Sequence, residues 1–166
     1  MICVPASSTP AERKAILDSG FAAGARKVFL IEEPMAAAIG ADLPITEAKG
    51  SMIIDIGGGT TEIAIISLGG IVTSQNLRIA GDHLNTAIVT YVRDQFKVLV
   101  GEKTAEDAKI KLAAIDHPEE VREMVVRGRD VVTGLPREVV VTDADIRSAI
   151  SQSVDSVVET VRAVSY

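Results

Sequence analysis

The residues best equipped for chemistry lie in one run, Asp55-Ile56-Gly57-Gly58-Gly59-Thr60-Thr61-Glu62, where a carboxylate ends one apolar strand and three glycines lead into the next. Glycine lets the backbone come closer to a ligand than any residue with a side chain. Free N–H groups in such a turn form a concavity that holds anions. Thr60 and Thr61 add hydroxyl donors, and Asp55 can hold a divalent cation through water, as magnesium prefers. The competing reading is a tight hairpin that needs positive φ angles. One glycine suffices for many turns, so three in a row after a buried Asp favour a phosphate-facing hairpin. No Gly-Lys-Ser or Gly-Lys-Thr follows, which excludes a Walker A loop.

A second candidate is Ile31-Glu32-Glu33-Pro34. A carboxylate at the mouth of a strand can accept a hydrogen bond from a water and orient it toward phosphorus. Equally, Glu33 can cap the helix that Pro34 begins, and the residues alone do not choose between the two roles. Glu106 and Lys109 lie three apart on one helix and face the same way. Such a pair can reach ribose hydroxyls, although it is more often a solvated ion pair. His83 and His117 have no partner at metal-ligand spacing and read as surface or capping residues. Cys3 is the single cysteine, which excludes an internal disulfide and a Cys-based zinc site. In the run Ile2-Cys3-Val4 it reads as a small buried side chain rather than a nucleophile.

The elements that must carry these residues follow from periodicity and punctuation. Ile2–Val4 reads as a strand. Thr9-Pro10-Ala11-Glu12 is a helix start with a capping box, and Gly24 is the left-handed terminator expected just past Ala23. Residues 28–31 form a short apolar strand, and Glu33-Pro34 opens a second helix. The order strand, helix, strand, helix predicts an α/β sheet. Residues 51–79 read as an antiparallel meander of three strands, the first two buried and joined by the glycine turn, the second turn at Gly69-Gly70. An amphipathic helix is expected from Gly81-Asp82 to about Val100, with Leu84, Ile88, Tyr91 and Val92 on one face. A helix over 104–114, two short strands near 124–127 and 138–141, and a last helix capped by Thr142 or Asp143 complete the chain. This predicts part of a first lobe over 1–50, a second lobe core from 51–80 and 137–166, and a small inserted α+β subdomain over 81–136.

Composition narrows the class. Hydrophobic residues make up 47% and charged residues 24%, which describes a globular chain. Aromatics are only 3%, so Ile, Val, Leu and Ala must build the core. A formal charge of −6 argues against general nucleic-acid binding, though it does not oppose holding one nucleotide on backbone N–H groups. No apolar run approaches the ~20 residues that span a bilayer, and Met1 leads straight into a strand without a basic leader, so a cytoplasmic protein is expected. The opening on a strand and the close inside a helical pattern predict the middle of a larger protein.

The hairpin run resembles the second phosphate loop of the actin, sugar-kinase and DnaK-chaperone superfamily. Within it, Leu30-Ile-Glu-Glu-Pro-Met-Ala-Ala-Ala-Ile-Gly40 with Gly50-Ser-Met-Ile-Ile-Asp-Ile-Gly-Gly-Gly-Thr-Thr-Glu-Ile-Ala64 is similar to the MreB family, bacterial actin homologues that govern rod shape. The likeness continues through Arg78-Ile-Ala-Gly-Asp82, Gly101-Glu-Lys-Thr-Ala-Glu106 and Val126-Arg-Gly-Arg129, and so covers essentially the whole chain. It implies an incomplete actin-like ATPase (ribonuclease H-like) fold. It also implies ATP and Mg2+ as cofactors: Glu33 arranges the attacking water, Asp55 serves the metal, and Gly57, Gly58, Gly59, Thr60 and Thr61 hold the β- and γ-phosphates. Glu106 and Lys109 match the adenosine-contacting helix, which reverses their bland reading, and Gly81-Asp82 falls where the family closes its nucleotide cleft. Two positions depart from the family pattern: Ala80 stands where Gly is common, and Asn85 where an acidic residue is common.

The resemblance further implies a slow ATPase that polymerises with itself, works with membrane proteins of cell shape and cell-wall synthesis, and acts in the cytoplasm at the inner face of the cell membrane. The family's first phosphate loop, its C-terminal adenosine loop and its membrane-inserting elements correspond to nothing in these 166 residues. Weak nucleotide binding and no useful turnover are therefore expected of this chain alone. Three rivals stay open: a chaperone-type ATPase, a small-molecule kinase of the same superfamily, and an inert fragment.

Overall fold

The structure, a computed structural model, describes residues 1–116 and 120–165. It contains eight strands and five helices among those residues, ordered β1 (Ile2–Val4), α1 (Pro10–Ala22), β2 (Leu30–Glu32), α2 (Glu33–Gly40), β3 (Ser51–Ile56), β4 (Thr61–Ser67), β5 (Gly70–Leu77), α3 (Gly81–Phe96), β6 (Val98–Leu99), α4 (Glu102–Leu112), β7 (Glu123–Asp130), β8 (Pro136–Thr142) and α5 (Asp143–Ser165). His117 lies outside the described residues. The chain forms two compact units, Met1–Leu77 with the segment from Glu159 onward, and Arg78–Val158.

In the first unit, β1 and β2 pair in parallel, joined by α1. The capping box forms as the sequence predicts: the Glu12 amide donates to Thr9 Oγ1, and the Thr9 amide donates to Glu12 Oε2 at 2.8 Å. Strands β3-β4-β5 form the expected antiparallel meander, with a register shift at Ile65/Ile66. The middle strand β4 is the buried one: Ile63, Ala64 and Ile66 are fully enclosed, with Val4 and Ala38. Each enclosed Ile contributes roughly 1.5–3 kcal/mol relative to exposure. Two burial expectations are corrected here. β3 is an edge strand, so Met52, Ile54, Asp55 and Ile56 are exposed and Asp55 is not buried. Cys3 is exposed, because strand side chains alternate and the enclosed side of β1 belongs to Val4.

In the second unit, β7 lies between β6 and β8 in an antiparallel sheet. Ile88, Val92, Ala105, Ala108, Leu112, Val126, Val141, Ile146 and Ile150 make one core. Helix α3 stops at Phe96, short of the expected Val100, because Lys97 turns left-handed (φ 58°) and frees Val98–Leu99 to pair with β7. Residues 137–158 group with 78–136 rather than with 51–77. The reason is that β8 pairs with β7, and Ile146 and Ile150 complete this core. Thr142 caps α5: the Asp145 amide donates to its Oγ1 at 3.3 Å, and Asp145 Oδ2 accepts from the Thr142 amide at 2.9 Å.

The turn between β7 and β8 carries an acid-stability prediction. Asp130 Oδ1 accepts from the amides of Val132 and Thr133, and Oδ2 accepts from Arg137 at 2.8 Å. The Thr133 amide, then Arg137 and the Val132 amide, pull its pKa from 3.8 to about 2. A carboxylate depressed in the folded state stabilises that state above its unfolded pKa and ceases to do so as pH falls through the folded one. The second unit should therefore lose stability between about pH 4 and pH 2. Asp130→Asn should flatten that part of an acid denaturation curve followed by circular dichroism; an unchanged curve would count against the network.

Candidate nucleotide site

The glycine turn joins β3 and β4 with one closing bond, in which the Gly57 amide donates to the Thr60 carbonyl at 2.9 Å. The left-handed glycines among the described residues are Gly24, Gly69 and Gly134, none of them in this turn. The run of three is thus not explained by positive φ. A Cβ built on Gly59 meets nothing within 4 Å, and one on Gly57 meets only the Thr60 carbonyl at 3.4 Å. The turn is bare backbone facing open space, the form a phosphate cradle requires.

Strand register then sets a polar row across the meander. Asp55 lies opposite Glu62, and Glu62 lies opposite Asn76. Glu62 is only 3% exposed. Its Oε1 accepts from Asn76 Nδ2 at 2.8 Å, while Oε2 is enclosed without a partner. Glu33, at the first turn of α2, joins this group electrostatically. Partial burial first, then the charges of Glu62 and Asp55, hold its pKa above 4.5. No ion pair among the described residues involves Glu33, Asp55 or Glu62. Nor do three His, Cys, Asp or Glu side chains converge to hold a metal directly. This is a concentration of negative charge with no protein cation, which suits a metal bound through water.

The second unit holds a separate polar group. Lys109 Nζ donates to the Gly81 carbonyl at 3.2 Å and to Glu106 Oε2 at 2.8 Å, and Asn85 Nδ2 donates to the same oxygen. Lys109 first, then Asn85, lower the Glu106 pKa. Asn85 is buried, with its Oδ1 unpartnered. Gly81, Glu106 and Lys109 are thus brought together, whereas Asp82 lines a different hollow with Thr86, Val89, Val100 and Glu102. An Asn rather than an acid at position 85 has a physical reason here. Its side-chain amide donates to Glu106 Oε2, a bond that an ionised carboxylate could not make.

Sequence reasoning passed over Glu62 and Asn76 as site residues. A signal for Glu62 was present, since a closed turn over 57–60 puts it across from Asp55. Asn76 had none, because its pairing with Glu62 depends on the irregular register of β5.

These elements compose part of the actin-like ATPase fold. The chain superposes on the crystal structure of MreB5 of Spiroplasma citri bound to AMPPNP with a TM-score of 0.94 and 36% identity, over 98% of this chain and 49% of that one. It also matches the MamK double helical filament structure at a TM-score of 0.74 and 21% identity, a likeness of fold alone.

The family model described as MreB/Mbl protein matches residues 1–165, and the chain belongs to that actin-like cytoskeletal family. It is 51% identical to the cell shape-determining protein MreB of Haemophilus influenzae over 164 residues, 98% of this chain and 47% of that protein. To the cell shape-determining protein Mbl of Bacillus subtilis it is 43% identical, over 99% of this chain and 49% of that protein. The chain spans about half the length of the relatives it matches. No helix of the described residues is long and apolar enough to cross a membrane.

Proposed function

We propose that these residues are the phosphate and adenosine groups of a slow ATPase that binds Mg-ATP and polymerises into filaments directing rod shape and cell-wall synthesis. One observation carries it: three exposed glycines whose backbone needs no left-handed angle, with open space beyond Gly59, lie beside uncompensated carboxylates. Gly57, Gly58, Gly59, Thr60 and Thr61 take the β- and γ-phosphates, and Asp55 holds Mg2+ through water. Glu33 orients the attacking water; its raised pKa makes it a better base than an ordinary glutamate. Glu106 and Lys109 meet the adenosine beside Gly81, and Asp82 belongs to the cleft-closing start of α3 from its own neighbouring hollow. Both bonds to Glu106 fall on Oε2, which leaves Oε1 for a ribose hydroxyl.

Related proteins support this reading. MreB5 was crystallised with AMPPNP and with ADP, and MamK forms a double helical filament. The expected partners are further copies of the same protein and membrane proteins of cell-wall synthesis, at the inner face of the cell membrane, with no nucleic acid.

Gly59→Val tests the cradle in a full-length protein carrying these residues. The added side chain has room in the folded protein, so thermal stability should hold while Mg-ATP affinity falls at least tenfold, about 1.4 kcal/mol, and ATP-dependent pelleting is lost. Wild-type affinity in calorimetry together with wild-type pelleting would refute the cradle.

A further inference from the structure

Within the row Asp55, Glu62, Asn76, one atom is unexplained. Glu62 Oε2 is enclosed and has no protein donor, although the large majority of buried side-chain polar atoms in native proteins have a partner. Leaving a buried oxygen without a donor beside two other carboxyl groups costs stability, and Asn76 satisfies only Oε1. Residues kept at a cost to stability concentrate where they touch a ligand. We infer that Glu62 Oε2 accepts a hydrogen bond from the attacking water, making Glu62 a second carboxylate on the nucleophile and Asn76 the residue that positions it. The inference rests on the phosphate-site reading above.

The physical reason is directional. One acceptor fixes one O–H bond of a water and leaves the molecule free to rotate about it. With one O–H directed to Glu33 and the other to Glu62, the lone pair is aimed as well, and aim is what a water needs at phosphorus. In the step itself, the water oxygen bonds to the γ-phosphorus as the bond to the bridging oxygen breaks. ADP leaves with that electron pair. One proton passes to Glu33 and the other stays on the phosphate formed. Asn76 sits at the exposed end of β5, where its side chain supports little besides Glu62.

The test uses full-length protein carrying these residues, with steady-state phosphate release and nucleotide affinity measured separately. Glu62→Gln should lower kcat roughly 100-fold with the Kd for AMPPNP within twofold and the melting temperature unchanged or raised, since one of three neighbouring carboxyl groups is removed. Unchanged kcat, or a loss matched by a fall in melting temperature and affinity, would overturn the inference. If Glu62→Gln fails to fold, Asn76→Ala on the exposed strand decides: a several-fold loss in kcat at constant KM supports the positioning role, and wild-type kcat removes it. Failure of the underlying reading looks different, because wild-type protein would then bind no AMPPNP at all.

Discussion

Replacing Glu33 by Ala should lower phosphate release by roughly 10²- to 10⁴-fold, the usual contribution of a positioned general base, and leave nucleotide affinity near wild type. The selectivity of that loss is the informative part. Glu33 lies outside the glycine turn, at the start of α2, so it should contribute little to the ground-state hold on the phosphates. Its pKa is raised by partial burial and then by Glu62 and Asp55, so it takes up a proton more readily than a free glutamate. Two pH effects follow. Turnover of the wild type should fall as pH is lowered through a midpoint above 4.5, the ordinary value for this group. For stability, a carboxyl raised in the folded state favours folding below its unfolded pKa, and that contribution is lost as pH rises through the folded one. Glu33→Ala should therefore remove a small destabilisation at neutral pH while removing activity. A phosphate-release assay beside thermal denaturation checks both, and unchanged hydrolysis in the variant would refute the role of Glu33.

Gly128→Ala should destabilise the second unit by about 3 kcal/mol, the upper end of ordinary overpacking. Gly128 lies in β7 opposite Arg137 of β8, where Leu99 of β6 crosses closely on the other side. A Cβ there would fall 2.5 Å from Val98 Cγ1 and 3.0 Å from the Leu99 carbonyl carbon, and nearer still to the Leu99 carbonyl oxygen. The obstacle is mainly backbone, which cannot swing aside as a long side chain would. Relief requires β6 to leave β7, and Val98 is wholly enclosed in the core. Chemical denaturation gives the measurement. Gly40→Ala is the control, since an added Cβ there meets nothing within 4 Å. Equal midpoints for the two variants would show that the strand crossing accommodates a methyl group.

Most elements were legible because each has a local cause. Thr9 with Glu12 specifies the start of α1 whatever surrounds it, and the glycine pairs and triplet mark both turns of the meander. The errors share one cause, which is that burial depends on neighbours. Cys3 and β3 were expected to be buried from apolar runs alone, but an apolar residue on an edge strand is enclosed only if another layer covers it. Helix α3 carried no sequence stop at Lys97, because a left-handed lysine is held there by tertiary pairing of Val98 and Leu99.

By itself, the sequence determined the glycine turn, its flanking strands, the separate Glu106–Lys109 pair and the family they belong to. Each of these rests on residue type and short spacing. Only the tertiary structure decided that the three glycines owe nothing to positive φ, since that depends on angles, not on composition. Only it decided that Glu62 faces Asp55 and Asn76 with one oxygen unpaired. Cross-strand neighbours are set by register, and a single irregularity at Ile65/Ile66 shifts every partner beyond it.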